Sequence, residues 1–129
     1  MAAPTDLRVG RKAVLVVLFV PSVERDGVTA IEQDTWVEMA LDTFGRLYGG
    51  ATAFPRALGV WRDDEMGGVL VRDEPVVIHC YTTPDDVADP ERLAELGRFC
   101  RRMGREARQG EIGLVIGEEY LAFRDFSEE

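Results

Sequence analysis

Ala13-Val14-Leu15-Val16-Val17-Leu18-Phe19-Val20 is an unbroken apolar run, rich in β-branched residues and ended by Pro21. It is too short to cross a bilayer as a helix, which takes about 20 apolar residues. It reads as a strand. A strand with one face in water alternates apolar and polar residues, and this one does not, so it needs cover on both faces. What covers its second face is the question the rest of the chain must answer.

Working outward, residues 1–11 read as a flexible tail, 12–124 as one domain and 125–129 as an acidic tail. No small-x-small cleavage pattern follows the run, so it is not read as a signal peptide, and the expected location is the cytoplasm. Asp26-Gly27 marks a turn in the loop after Pro21. Thr29 and Glu32 have capping-box spacing, and Asp34 is a second candidate for the start of a helix. Val37, Ala40, Leu41, Phe44 and Tyr48 recur on one face of that helix, and Gly49-Gly50 ends it. Ala51–Arg62 contains Pro55, which cannot donate to a ladder, so it is expected as an edge strand. Asp63–Gly68 is a charged turn. Val69–Arg72 returns from it and, after a bend at Asp73-Glu74-Pro75, the strand resumes as Val76–Thr82. Val76, Ile78 and Cys80 share one face of that strand; Val77, His79 and Tyr81 share the other.

Asp89-Pro90-Glu91 is a strong helix start, with Asp as N-cap and Pro in the first position. Leu93, Leu96, Cys100, Met103 and Ala107 then recur at helical spacing, with Gly110 as the expected close. A last strand covers Glu111–Ile116, and Gly117-Glu118 allows a short extra strand over Tyr120–Phe123. The order β-α-β-β-α-β is the ferredoxin-like pattern: α+β, a four-stranded antiparallel sheet with two helices on one face. The other face then holds His79, Tyr81, Val115 and one phase of the first strand. That patch is more apolar than a soluble monomer normally exposes.

This layout resembles the dimeric α/β-barrel families, in which two such sheets close face to face. Gly49-Gly50-Ala51-Thr52, then Pro55, then Gly59-Val60-Trp61, also resembles a group of small uncharacterised bacterial proteins. The architecture carries many unrelated functions, so the resemblance implies a fold and a dimer more than a chemistry.

The chain has 15 basic and 24 acidic residues, a formal charge of −9, which disfavours nucleic acid as a partner. Lys12 is the only lysine, a bias read as codon usage of a GC-rich bacterial source. Cys80 and Cys100 are expected as free buried thiols. No metal site, phosphate loop or nucleophile elbow is legible, and no cofactor is implied. The candidate catalytic groups are His79, Tyr81 and Glu74, an imidazole near a phenol and a carboxylate. A histidine packed in an interface would fit the same pattern. Val17, Trp61, Val77 and Val115 are the candidate ligand or interface residues of the open face. Arg98, Arg101, Arg105 and Arg108 form a stripe suited to an anion or an acidic partner, or simply a solvated helix face. The leading expectation is a non-catalytic association module, a homodimer or accessory subunit acting through the open face. The alternatives are a small-molecule enzyme of the barrel type, a monooxygenase or isomerase using His79 and Tyr81, and a regulatory module that binds a small apolar ligand.

Overall fold

The computed structural model describes residues 7–128. In chain order the elements are β1 (Val14–Val20), α1 (Gln33–Tyr48), β2 (Thr52–Ala53), β3 (Gly59–Asp63), β4 (Val69–Asp73), β5 (Val76–Thr82), α2 (Pro84–Ala88), α3 (Pro90–Glu106), β6 (Ile112–Ile116) and β7 (Glu119–Phe123). The apolar run is the centre of an antiparallel sheet ordered β2-β5-β1-β6-β7. Its even positions, Val16, Leu18 and Val20, are fully buried together with Ile78, Leu114, Phe44, Leu96, Cys100 and Met103. Burying each such aliphatic side chain contributes about 1.5–3 kcal/mol, so this helix-covered side holds the fold. The odd positions, Leu15, Val17 and Phe19, lie on the other side and are only half-buried.

The α+β class expected from the sequence is present, but the sheet has five strands instead of four. β7 completes a hairpin with β6 in which Leu114 opposes Leu121 and Val115 opposes Tyr120. A larger correction concerns the segment expected as one edge strand. Only Thr52 and Ala53 pair with β5. The chain leaves the sheet at Pro55, and Gly59–Asp63 pairs with Val69–Asp73 in a separate two-stranded sheet. A proline has no N–H to continue the ladder, and Pro75 packs against Gly59 where a Cβ would stand 3.4 Å away. The two prolines thus help place the hairpin outside the main sheet.

The helix ends follow their caps, with exceptions. Gly49 closes α1 in the left-handed conformation, φ +88°. Asp89 caps α3 by accepting from the Arg92 N–H at 2.9 Å. The Thr29–Glu32 capping box does not form. Asp26 instead accepts from the N–H groups of Val28 and Thr29, each at 2.8 Å, and α1 starts at Gln33 without a side-chain cap. Thr83-Pro84-Asp85-Asp86 makes the short helix α2, whose N-cap oxygen on Thr83 accepts from the Asp86 N–H. α3 stops at Glu106, before the expected Gly110, because Arg108 turns into the left-handed region at φ +53°.

Candidate functional site

Across the open side of the sheet one row of side chains runs from edge to edge. Thr52 is opposite His79, His79 opposite Val17, Val17 opposite Val115, and Val115 opposite Tyr120. Directly opposed residues share a face, so the two valines form a floor between His79 and Tyr120. Three strand spacings separate these two ends, about 14 Å. At the β5 edge Phe54 stacks on the His79 ring, centroids 4.6 Å apart and planes 5° from parallel. Tyr81 meets the same imidazole edge-on at 6.3 Å.

At the β7 edge the hairpin β3–β4 overhangs the sheet and walls a half-open cavity of about 250 Å³. Phe19, Gly113 and Tyr120 line it from the sheet; Val60 and Trp61 line it from the hairpin; Gln109 and Glu111 enter from the loop before β6. Gly113 makes room for Tyr120 at the cavity wall: a Cβ there would overlap the Tyr120 hydroxyl. That hydroxyl donates to Glu111 at 2.7 Å, and the Arg124 guanidinium donates to the other Glu111 oxygen at 2.9 Å. Burial, then the bond to Glu111, pushes the Tyr120 phenol up to about 12. Tyr120 therefore stays protonated at neutral pH and serves as a hydrogen-bond donor, not a base. Asp73 also borders the cavity, but its carboxylate is engaged by the Ser22 N–H at 2.9 Å, the Ser22 hydroxyl and the Glu74 N–H. It anchors the hairpin to the loop after β1.

A second, shallower cleft of about 220 Å³ lies around the turn Gly49-Gly50-Ala51-Thr52, with Lys12, Tyr48, His79 and Tyr81 at its margin. The Tyr48 hydroxyl there is buried and has no hydrogen-bond partner among the described residues. Desolvation, and lesser effects of Cys80 and Cys100, push it up to about 12.

The structure brings together some of the residues singled out from the sequence and separates others. His79, Tyr81, Val17, Val77 and Val115 share the open face as expected. Glu74 does not approach His79: it sits at the bend before β5, five residues and about 16 Å of strand away. Its carbonyl accepts from Gln33 at 2.9 Å. Trp61 is not on a strand beside His79 but on β3, where it walls the cavity at the opposite edge. Arg98, Arg101 and Arg105 lie along α3, whereas Arg108 is beyond its end, its carbonyl accepting from the Arg25 N–H at 2.9 Å. Phe19, Gly113, Glu111 and Tyr120 were not singled out. Their signal was available in the Gly117-Glu118 turn, since a hairpin there sets Tyr120 opposite Val115 on the open face. Among the described residues no group of His, Cys, Asp and Glu is placed to hold a metal ion, and no helix is long and apolar enough to cross a membrane.

No family model matches the sequence, and no curated protein matches it. Solved structures do match the fold. A phage SAM lyase in complex with S-methyl-5'-thioadenosine superposes with a TM-score of 0.64 at 16% identity, over 92% of this chain and 94% of that one. A phage SAM lyase in the apo state superposes with the same score at 14% identity and the same coverage. At such identity the likeness concerns the fold. It nevertheless overturns the leading expectation of a non-catalytic association module. That expectation rested on an apolar sheet face with nothing to cover it, yet the same architecture, nearly end to end, is that of an enzyme. In this chain the hairpin β3–β4 covers part of that face and leaves a cavity beneath it.

Proposed function

We propose that the open sheet face is the active site of a small-molecule enzyme, and that its substrate is S-adenosylmethionine or a nucleoside derivative of the same type. The core of the fold is then a ferredoxin-like unit made of β1, α1, β2, β5, α3 and β6, elaborated by the β3–β4 hairpin and by β7. The observation that carries the reading is the cavity under the hairpin, where the rings of Phe19, Trp61 and Tyr120 meet the carboxylate of Glu111. Aromatic faces stack on nucleobases and attract cations, so this combination suits a ligand with a purine at one end and a sulfonium beside it. At about 250 Å³ the cavity is just below the usual 300–1,000 Å³ of small-molecule clefts. The rest of such a ligand would extend over Val115 and Val17 toward His79 and Tyr81, which border the site as orienting groups.

The chemistry asks little acid–base work of the protein. When the bond from the sulfonium to the alkyl carbon of the amino-acid arm breaks, sulfur takes the bonding electrons and leaves as a neutral thioether, while the substrate's own carboxylate oxygen forms the new bond to that carbon and closes the arm to a lactone, so no proton is transferred. What the site must supply is orientation, which the aromatic walls and a protonated Tyr120 donor can provide. The test is incubation of the pure chain with S-adenosylmethionine, followed by chromatography for S-methyl-5'-thioadenosine. Release of that product, cut at least tenfold in Trp61→Ala, is the expected result. Absence of turnover, together with no calorimetric binding of either compound at millimolar concentration, overturns it. Binding without turnover would favour the ligand-binding module.

A further inference from the structure

The outward side of α3 carries Arg98, Arg101, Arg102 and Arg105, a dense block of positive charge in a chain of net −9. Together with Glu128 they line a cleft of about 240 Å³. Residues 126–128 lie along it. The Phe126 carbonyl accepts from Arg105 at 2.6 Å, and the Glu128 carboxylate stands 3.7 Å from the same guanidinium. The Phe126 ring is half-buried against Gly104, where a Cβ would overlap the ring, so the helix surface is notched to receive it. Asp125 turns back on Ser127, whose N–H it accepts at 3.0 Å.

Among the described residues, part of this charge is unanswered. Arg102 is paired with Glu106 at 2.8 Å and lies over the Trp36 ring at 5.7 Å. Arg98 makes no ion pair among the described residues, and the buried Arg101 Nε meets no acceptor among them. Exposed ion pairs contribute about 0–1 kcal/mol each, so the segment is held mainly by one ring in one notch and can be exchanged.

We propose that this face of α3 is a docking groove for an acidic peptide segment of a partner protein, one with an aromatic residue two positions before a carboxylate. Residues 125–128 fill the groove in cis as an internal competitor. The occupant's chemistry is argued from the contacts the chain's own segment makes: a ring seat, a main-chain carbonyl and a carboxylate. A free phosphate would use the guanidinium groups but not the notch at Gly104. The groove is on the helical side of the molecule, so the inference is independent of the active-site reading.

The probe is a labelled synthetic peptide with the sequence of residues 122–129, titrated into full-length protein by fluorescence anisotropy. The full-length double variant Phe126→Ala, Glu128→Gln, with its own segment released, is expected to bind the peptide at least tenfold more tightly than the wild-type chain. Binding should be lost in the peptide carrying Phe126→Ala, and lost when Arg105→Glu is added to the released variant. No binding to the released variant, equal binding to the wild-type chain, or displacement by equimolar pyrophosphate would each overturn the proposal. If the double variant fails to fold, Gly104→Ala gives a second arm. It should free residues 124–128 to rapid amide exchange without any gain in peptide binding, because the notch is filled. Exchange as slow as in the wild-type chain counts against the ring seat.

Discussion

Gly113 is the residue on which the cavity turns. It is buried in β6, and its missing Cβ is what admits the Tyr120 hydroxyl beneath the hairpin and within 2.7 Å of Glu111. A methyl at this position would meet the far end of a side chain that starts on an exposed strand. The ring can swing outward, so the fold should lose no more than about 1–3 kcal/mol. The site should lose more. Gly113→Ala is expected to shift the melting temperature by a few degrees and weaken binding of S-methyl-5'-thioadenosine at least tenfold, by calorimetric titration. Unchanged affinity would place the ligand elsewhere on the face. His79 was legible from its alternation with Cys80, but its stacking partner Phe54 was not. Phe54 follows a two-residue strand, too short for a period to show. Tyr120 was legible as a strand residue only, since its role depends on a glycine seven positions earlier.

The hairpin β3–β4 is the element that separates a bare apolar face from a walled site. Two strands alone are marginal in water, so tethers must hold this pair in place. One is Asp73 on Ser22. The other is Arg25, which forks to Asp63 at 3.2 Å and Glu65 at 2.7 Å. Asp63 is only 4% exposed, and without Arg25 its carboxylate would be left buried and short of donors, at about 1–3 kcal/mol. In Arg25→Ala, amides of residues 59–73 should therefore exchange faster while those of β1 and β5 keep their protection. Uniform acceleration would mean that Arg25 supports the whole fold and not the hairpin. The sequence made both hairpin strands readable, with Asp63–Gly68 as the turn between them. It did not say which sheet they joined. Alternation reports which face a residue presents, not its neighbour across the ladder, and Pro55 was read as marking an edge when it marks a departure. The central strand was legible for the opposite reason: an unbroken apolar run can satisfy itself only in the middle of a sheet.

Over the whole molecule, burial keeps both thiols and the Tyr48 phenol neutral, desolvation with the Glu111 bond does the same for the half-exposed Tyr120, and the buried Asp63 is instead ion-paired with Arg25. Burial pushes the thiol of Cys80 up to about 11 and that of Cys100 to about 12. The phenols of Tyr48 and Tyr120 are likewise raised to about 12. In the unfolded chain these groups ionise near 9.0 for the thiols and 10.0 for the phenols. Between those values and the raised ones the unfolded chain has lost protons that the native chain still binds, so stability falls as pH rises. Below pH 9 both states hold them and the contribution is complete. Thermal melts should thus be flat for these groups from pH 7 to about 8.5 and decline steadily above pH 9, with a shallower decline in Cys100→Ala. The same burial predicts that neither thiol of the folded chain reacts with a disulfide reagent at pH 8, while both react in denaturant. A melting temperature constant to pH 10.5, or rapid labelling of Cys100 in the native chain, would mean that water reaches the space between α1, α3 and the sheet. The central apolar run would then lack the dry face that its sequence requires.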